Sequence, residues 1–229
     1  MGLVVTIDGP AGAGKSTAAR ELASRLGWSV LDTGAMYRVV TLAALEAGLD
    51  MTDSEALGVL AGSIQVRLDG NLVWLGDRDV CKLIREPEIT RASCYAANAP
   101  EVRKVLLGWQ RKASENKNLV TEGRDQGTIV FPDALVKFYL DATDLERAER
   151  RYRELIQKGH EIHLDQVLED QQERDARDSA REIAPMRPSD DGVRIESTGK
   201  SLEEVLNEML GHIRKSLAER GLSETFHTF

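Results

Sequence analysis

The sequence is poor in the features that mark membrane, secreted and nucleic-acid-binding chains. No apolar run approaches the roughly 18–20 residues that a helical membrane span requires. The opening MGLVVTIDGP carries no basic leader before its acid and turn, so it reads as a buried strand and no secretory signal is expected. Only two cysteines occur, Cys81 and Cys94, thirteen positions apart. That spacing matches no metal site, so free thiols in a reducing, cytoplasmic compartment are expected. Aromatics make up 5% of the chain, and Trp28, Trp74 and Trp109 lie far apart, which leaves no stacking platform for a single strand. An excess of positive charge is missing too. The 38 acidic residues outnumber 30 lysines and arginines, for a net charge of −8, which argues against recognition of a phosphate backbone. His160 and His163 stand three apart in a hydrophilic stretch with no third ligand evident, and are read as surface residues. There is no internal repeat or low-complexity segment.

What is present describes an α/β domain. At 229 residues, 41% apolar and 30% charged, the chain is long enough for one full core with insertions. Five short β-branched or apolar runs read as buried parallel strands: Leu3–Ile7, Val30–Asp32, Leu119–Thr121, Val136–Leu140 and Val193–Glu196. Helical periods alternate with them. Ser16–Leu26 places Ala19, Leu22, Ala23 and Leu26 on one face before Gly27 stops it. Ser201 and Glu204 form a capping box ahead of the stripe Val205, Leu206, Met209, Ile213 and Leu217. Two stretches break the alternation. Residues 64–75 alternate by two around Asp69-Gly70-Asn71, the signature of a hairpin, so 60–85 is read as a small antiparallel insert. Residues 144–187 are dense in both charge signs and nearly free of glycine; they predict exposed helices, stopped by Pro185 and Pro188. The tail Ser223–Phe229 is expected to fray.

The chemistry begins at Gly9, Pro10, Ala11, Gly12, Ala13, Gly14, Lys15, Ser16 and Thr17. The first eight fit G-x-x-x-x-G-K-[ST] in full. Glycines let the backbone bend into a ring whose N–H groups face phosphate oxygens. Lys15 brings a point charge to the β- and γ-phosphates, and Ser16 offers a hydroxyl to Mg²⁺. The following helix aims its positive end at the same place. The expected ligand is a nucleoside triphosphate, ATP, with Mg²⁺.

The acceptor is read from what surrounds that loop. A guanine-specific switch would carry N-K-x-D, but Asn116-Lys117-Asn118-Leu119 lacks the acid. Two strands end in polar turns, at Asp32-Thr33-Gly34 and at Glu122-Gly123-Arg124-Asp125, as a ligand crevice at the carboxyl edge of a sheet requires. Arginines gather in these segments: Arg38 after Tyr37, Arg103, Arg124, and Arg174 with Arg181 around Asp178 at i, i+4 and i+7. A phosphate monoester is already nucleophilic near neutral pH, its second pKa lying at about 6. Its problem is repulsion from the donor, which cations relieve. Arginines without an evident base therefore favour a phosphate acceptor. A hydroxyl kinase of the shikimate type, with Asp32 as base, and a non-catalytic nucleotide switch remain as alternatives.

These residues together resemble the bacterial cytidylate kinases, a family of nucleoside-monophosphate kinases. The strings are Ile7-Asp-Gly-Pro-Ala-Gly-Ala-Gly-Lys-Ser-Thr17, Leu31-Asp-Thr-Gly-Ala-Met-Tyr-Arg38, Gly123-Arg-Asp-Gln-Gly-Thr128, Val130-Phe-Pro-Asp-Ala134, Glu173-Arg-Asp-Ala-Arg-Asp178 and Ile183-Ala-Pro185. They follow the family's order along almost the whole chain. The resemblance implies a three-layer P-loop NTPase fold with a five-stranded parallel sheet, an antiparallel β insert and a helical lid. It implies one domain over 1–229: a core of 1–35, 105–150 and 188–229, a monophosphate-binding region at about 36–104, and a lid at about 151–187. The implied reaction moves the γ-phosphate of ATP to CMP or dCMP, in a monomer. Lys15, Arg38, Arg124 and Arg181 would be catalytic. Thr33, Tyr37, Arg38, Cys94, Arg103, Arg124, Asp125, Arg174, Asp178 and Arg181 would bind CMP, with Arg103 and Asp125 reading cytosine. Three positions depart from the pattern. Cys94 replaces a serine near the base, Glu122 an aspartate, and Gln126 an apolar residue.

Overall fold

The computed structural model describes residues 2–69 and 72–222. The turn expected at Gly70–Asn71 and the tail at 223–229 lie outside the described residues. The chain divides into two compact units, Val30–Lys117 and a second made of Gly2–Ser29 with the chain from Asn118 onward.

The second unit is built on β1 (Val4–Asp8), β6 (Leu119–Glu122), β7 (Val136–Asp141) and β8 (Val193–Glu196). With β2 (Ser29–Asp32) they form a five-stranded parallel sheet of order β2-β6-β1-β7-β8. Every residue of β1 and β6 is buried, which is why both read as continuous apolar runs rather than alternating ones. Val5 lies opposite both Val120 and Val136 in register. β2 enters at Ser29, whose N–H donates to the carbonyl of Asn118 at 3.0 Å. All five strands occupy the predicted positions to within a residue.

Helix α1 (Lys15–Leu26) packs on β6 and β1 through Ala19, Leu22, Ala23 and Leu26, all buried, and Gly27 ends it in the left-handed conformation. Helix α8 (Leu202–Glu219) packs on β7 and α1. Its capping box forms as predicted, Ser201 and Glu204 each satisfying the other's backbone N–H, and the five stripe residues are buried. Each such side chain is worth about 1.5–3 kcal/mol.

The first unit holds α2 (Thr33–Glu46), α3 (Ser54–Ser63), the antiparallel sheet β3 (Val66–Asp69), β4 (Leu72–Leu75) and β5 (Arg78–Asp79), then α4 (Pro87–Asn98) and α5 (Pro100–Ala113). Its core joins Val39 and Leu42 of α2 to Val73, Val80, Ile84 and Ile89. The hairpin pairs Val66 with Leu75 and Leu68 with Val73. The insert is narrower at its start and richer at its end than expected. Residues up to Ser63 remain helical, as the end of α3, whose start Asp53 caps through the N–H of Ala56, and the two-residue β5 is too short to leave a periodic signal.

The charged stretch forms α6 (Asp144–Gln157) and α7 (Leu164–Ser179). These are not the wholly exposed helices that composition implied. They share a small core of Ala148, Leu155 and Val167, and they bury Arg147, Gln171 and Asp178.

Candidate active site

Backbone strain and close approach shape the phosphate loop. Gly9 has φ of 142°, and a Cβ there would lie 2.0 Å from the carbonyl oxygen of Leu140. Gly12, with φ of 77°, leaves no room for a side chain between Gln171 and the backbone of Arg147. Side chains tolerate neither conformation, so the glycines of the motif are needed for shape as well as for N–H access.

Lys15 opens α1 and is buried, its Nζ donating to the carbonyl of Pro10 at 2.7 Å. Burial, with the nearby Arg124 cation adding to it, pushes its ammonium down to about 7, against the pull of Glu122. A polyphosphate brings the negative charge this environment lacks. Ser16 Oγ donates to Glu122 Oε1 at 2.8 Å. The Ser16 hydroxyl is the kind of hard oxygen ligand that Mg²⁺ takes, and the Glu122 carboxylate hydrogen-bonded to it would support that ligand from behind. The donor set therefore fits the metal. No cluster of three or more His, Cys, Asp or Glu able to hold a metal occurs among the described residues.

The loop is held from above by α6 and α7. Arg147 is 4% exposed. It donates from Nη1 to the carbonyl of Ala11 at 2.7 Å and to Asp175, from Nε to the carbonyl of Ala142 at 3.0 Å, and from Nη2 to Asp144 at 2.6 Å. Asp175 in turn accepts the N–H of Ala11 at 3.0 Å. Both polar groups of Ala11 are thus taken by side chains of α6 and α7.

Beside the loop lies the arginine cluster. Arg124 follows β6, and its Nε donates to Asp178 at 2.9 Å; Arg181 also pairs with Asp178. Burial opposes the charge on both partners and is outweighed in each. Asp178, Glu122 and Asp175 hold Arg124 above its ordinary range, while Arg124, Arg181 and Arg174 hold Asp178 below the usual carboxylate range. The structure thus brings Arg124, Arg174, Asp178 and Arg181 together, but not on one helical face. Helix α7 ends at Ser179, so Arg181 reaches Asp178 from the segment beyond.

Asp125 starts a single π-helical turn, Gln126–Val130, a type of irregularity often found at functional sites. Asp8, the last residue of β1, anchors it by accepting the N–H groups of Gln126 at 2.9 Å and Gly127 at 2.7 Å. Burial pushes the Asp8 carboxyl up to about 7 despite these two donors.

The first unit carries the other predicted residues. Asp32 caps α2 through the N–H of Ala35 at 2.9 Å, so the expected Asp-Thr-Gly turn is a helix start, and Thr33 and Tyr37 lie in its first turns. Arg38 faces Asp32 at only 3.4 and 3.5 Å, and its buried Nε has no hydrogen-bond partner. Its guanidinium has donors to spare. The Arg103 guanidinium, on α5, lies 5.7 Å from the centre of the Tyr37 ring and donates to the carbonyl of Ala97. Cys94 lies on α4, and neither cysteine forms a disulfide.

A family model described as Cytidylate kinase matches residues 5–215. The chain belongs to the cytidylate kinase family. Among curated relatives, a cytidylate kinase of Caldanaerobacter subterraneus subsp. tengcongensis is 44% identical over 93% of this chain and 95% of that protein. Another, from Klebsiella pneumoniae, is 45% identical over 94% and 96%. An uncharacterized protein of Eubacterium ventriosum shares the fold, with a TM-score of 0.53 at 10% identity, over 92% of this chain and 98% of that one. As a nucleoside-monophosphate kinase of this family, the chain phosphorylates CMP or dCMP with ATP. The hydroxyl-kinase and switch readings are set aside. No helix among the described residues is long and apolar enough to cross a membrane.

Several residues packed around the phosphate loop of this cytidylate kinase were given no role by the sequence. Arg147 belongs to a stretch whose charge density hid it, Asp175 was quoted within a motif but given no task, and only the contacts of α6 and α7 with the loop single them out. Glu122 stood out at a polar strand end and as a departure, and its partnership with Ser16 is visible only when β6 and α1 are set side by side. Asp8 was quoted within a motif but given no task.

Proposed function

We propose that the cytidylate kinase reaction is run by the residues carried over from the family pattern. An oxygen of the CMP phosphate attacks the γ-phosphorus of ATP; the new P–O bond forms as the bond to the β,γ-bridging oxygen breaks, and ADP leaves. Gly9 to Thr17 cradle the donor, with Lys15 against its β- and γ-phosphates. Arg38 and Arg124 clamp the acceptor phosphate, and Arg174, Asp178 and Arg181 act on its sugar and phosphate as the lid at about 151–187 closes, which excludes water. Arg103 and Asp125 read cytosine beside Thr33, Tyr37 and Cys94. The observation that carries this reading is the half-buried cationic cluster next to the phosphate loop, with Arg124 on the buried Asp178 at 2.9 Å, since charge stabilisation is the main demand of phosphoryl transfer.

Mg²⁺, held through Ser16 with Glu122 behind it, neutralises donor charge when bound. Glu122→Gln should raise the Mg²⁺ concentration needed for half-maximal rate by roughly tenfold, the usual cost of losing an outer-shell carboxylate. An unchanged Mg²⁺ titration would remove Glu122 from that role. The protein is taken to work as a cytoplasmic monomer without nucleic acid. The reading as a whole is tested by coupled measurement of ADP release from ATP–Mg²⁺, with CMP, dCMP, UMP, AMP and shikimate offered separately. CMP-dependent and dCMP-dependent turnover is expected, and folded protein lacking it refutes the assignment.

A further inference from the structure

The segment that follows β6 is fastened to the end of β1 at two places. The N–H of Gly123 donates to the carbonyl of Ile7 at 3.1 Å, and the N–H groups of Gln126 and Gly127 close on the two carboxylate oxygens of Asp8 at 2.9 and 2.7 Å. Residues 123–127 thus form an arch with both feet on the last two residues of β1, and Arg124 and Asp125 lie between the feet. Gly127 lets the far foot sit flush on the sheet, since a Cβ there would come within 2.9 Å of Thr6 Oγ1 and 3.2 Å of the Lys137 side chain. Asp8 has little room to shift. It is in register with Tyr139 of β7, and at the next residue, Gly9, even a Cβ would strike the carbonyl of Leu140.

A buried carboxylate is a costly way to end a strand. Asp8 is 4% exposed, and the charges acting on it are Asp125 and Lys15, of opposite sign. An amide would accept one of the two N–H groups and set its own NH2 against the other, whereas a carboxylate accepts both, one on each oxygen. We propose that Asp8 is a positioning residue that aligns the acceptor with the donor. Gly9 opens the phosphate loop and the arch carries Arg124 and Asp125, so one carboxylate ties the donor cradle to the acceptor side. Arg124 also meets Asp178 and the carbonyl of Gly123, and Asp125 has contacts of its own. Those hold the side chains; the Asp8 clamp holds the backbone from which both start. This inference rests on the reading of Arg124 and Asp125 as acceptor-side residues.

Asp8→Asn keeps the volume and opposes one of the two donors. It should lower kcat/KM for CMP by about 10²-fold, the scale of a displacement of about 1 Å, through a higher KM and a lower kcat, with Kd for ATP within about threefold. Asp8→Glu keeps the charge but carries the oxygens one methylene away from the N–H groups, and should show the same split. Wild-type kinetics in Asp8→Glu beside a loss in Asp8→Asn would assign the effect to charge and overturn the proposal. An equal loss of ATP affinity, or a fall in kcat with KM for CMP unchanged, overturns it too, since these mark a general support of the fold. A double-mutant cycle gives the sharpest readout. In an Arg124→Met background Asp8→Asn should cost about tenfold or less, because one of the groups it aligns is already gone, and a loss of about 10²-fold in both backgrounds would make Asp8 independent of Arg124 and sink the idea. If Arg124→Met itself leaves turnover with CMP intact, the acceptor reading falls as well. Amide exchange in the unmodified, nucleotide-free protein decides the matter if neither Asp8 variant folds. Gln126 and Gly127 should be protected, and exchange as fast as an open loop until CMP is added would show that nothing is positioned beforehand.

Discussion

Arg124→Met should lower kcat with CMP by about 10³-fold, the scale of losing one preorganised cation at a transferring phosphoryl group, while ATP binding stays nearly constant. The asymmetry follows from the neighbours. Methionine fills most of the same half-buried space. Asp178, which loses its 2.9 Å partner, still keeps Arg181 and the field of Arg174, so the cluster is not left with an uncompensated acid. Lys15 is relieved, since the Arg124 cation is second only to burial among the causes that depress its ammonium. Donor affinity therefore has no reason to fall, whereas the acceptor phosphate loses its clamp. Steady-state kinetics with CMP and calorimetric titration with ATP separate the two. Equal losses in both would make Arg124 a structural residue.

Arg147→Met should be the most destabilising single change in α6 and α7. Removing one partner from a buried, hydrogen-bonded ion pair costs about 3–5 kcal/mol, which in a domain of this size lowers Tm by on the order of 10 °C. Arg147 donates to the carbonyls of Ala11 and Ala142 and to Asp175 and Asp144. Without it Asp175 keeps only the N–H of Ala11 among the contacts described above. The loop loses the donor on its Ala11 carbonyl, so KM for ATP should rise as well. Adding Asp175→Asn should recover part of the lost stability, because it removes the stranded charge. Thermal melting of the two single variants and the double variant checks this. A loss of under about 1 kcal/mol for Arg147→Met, the range of surface pairs, would show that the knot is open to water.

Motifs with a short reach were legible without coordinates. The phosphate loop was complete because its chemistry needs consecutive residues. Strands β1 and β6, and most of β7, were readable because strands covered on both faces are largely apolar. The capping box at Ser201 was readable because both its members lie within one turn. Charge density was a poorer guide. It marked 144–187 as exposed, since a solvated face and a buried ion network share a composition, and only geometry tells Arg153, paired on the surface with Glu149, from Arg147, which is sealed against the loop. The periodicity linking Arg174, Asp178 and Arg181 pointed to the right cluster by the wrong route, because helix α7 stops at Ser179 and the last arginine folds back from beyond it.

The amino-acid order alone therefore determined the sheet strands, the nucleotide loop and the family, all of which follow from local periodicity or contiguous motifs. Tertiary structure decided the partners. Glu122 beside Ser16, Asp8 beneath Gln126 and Asp175 on Ala11 lie more than a hundred positions apart in sequence. No local rule couples such distant groups. They come together because parallel strands align the ends of β1 and β6 at one edge of the sheet, and because α6 and α7 fold over the loop that leaves that edge.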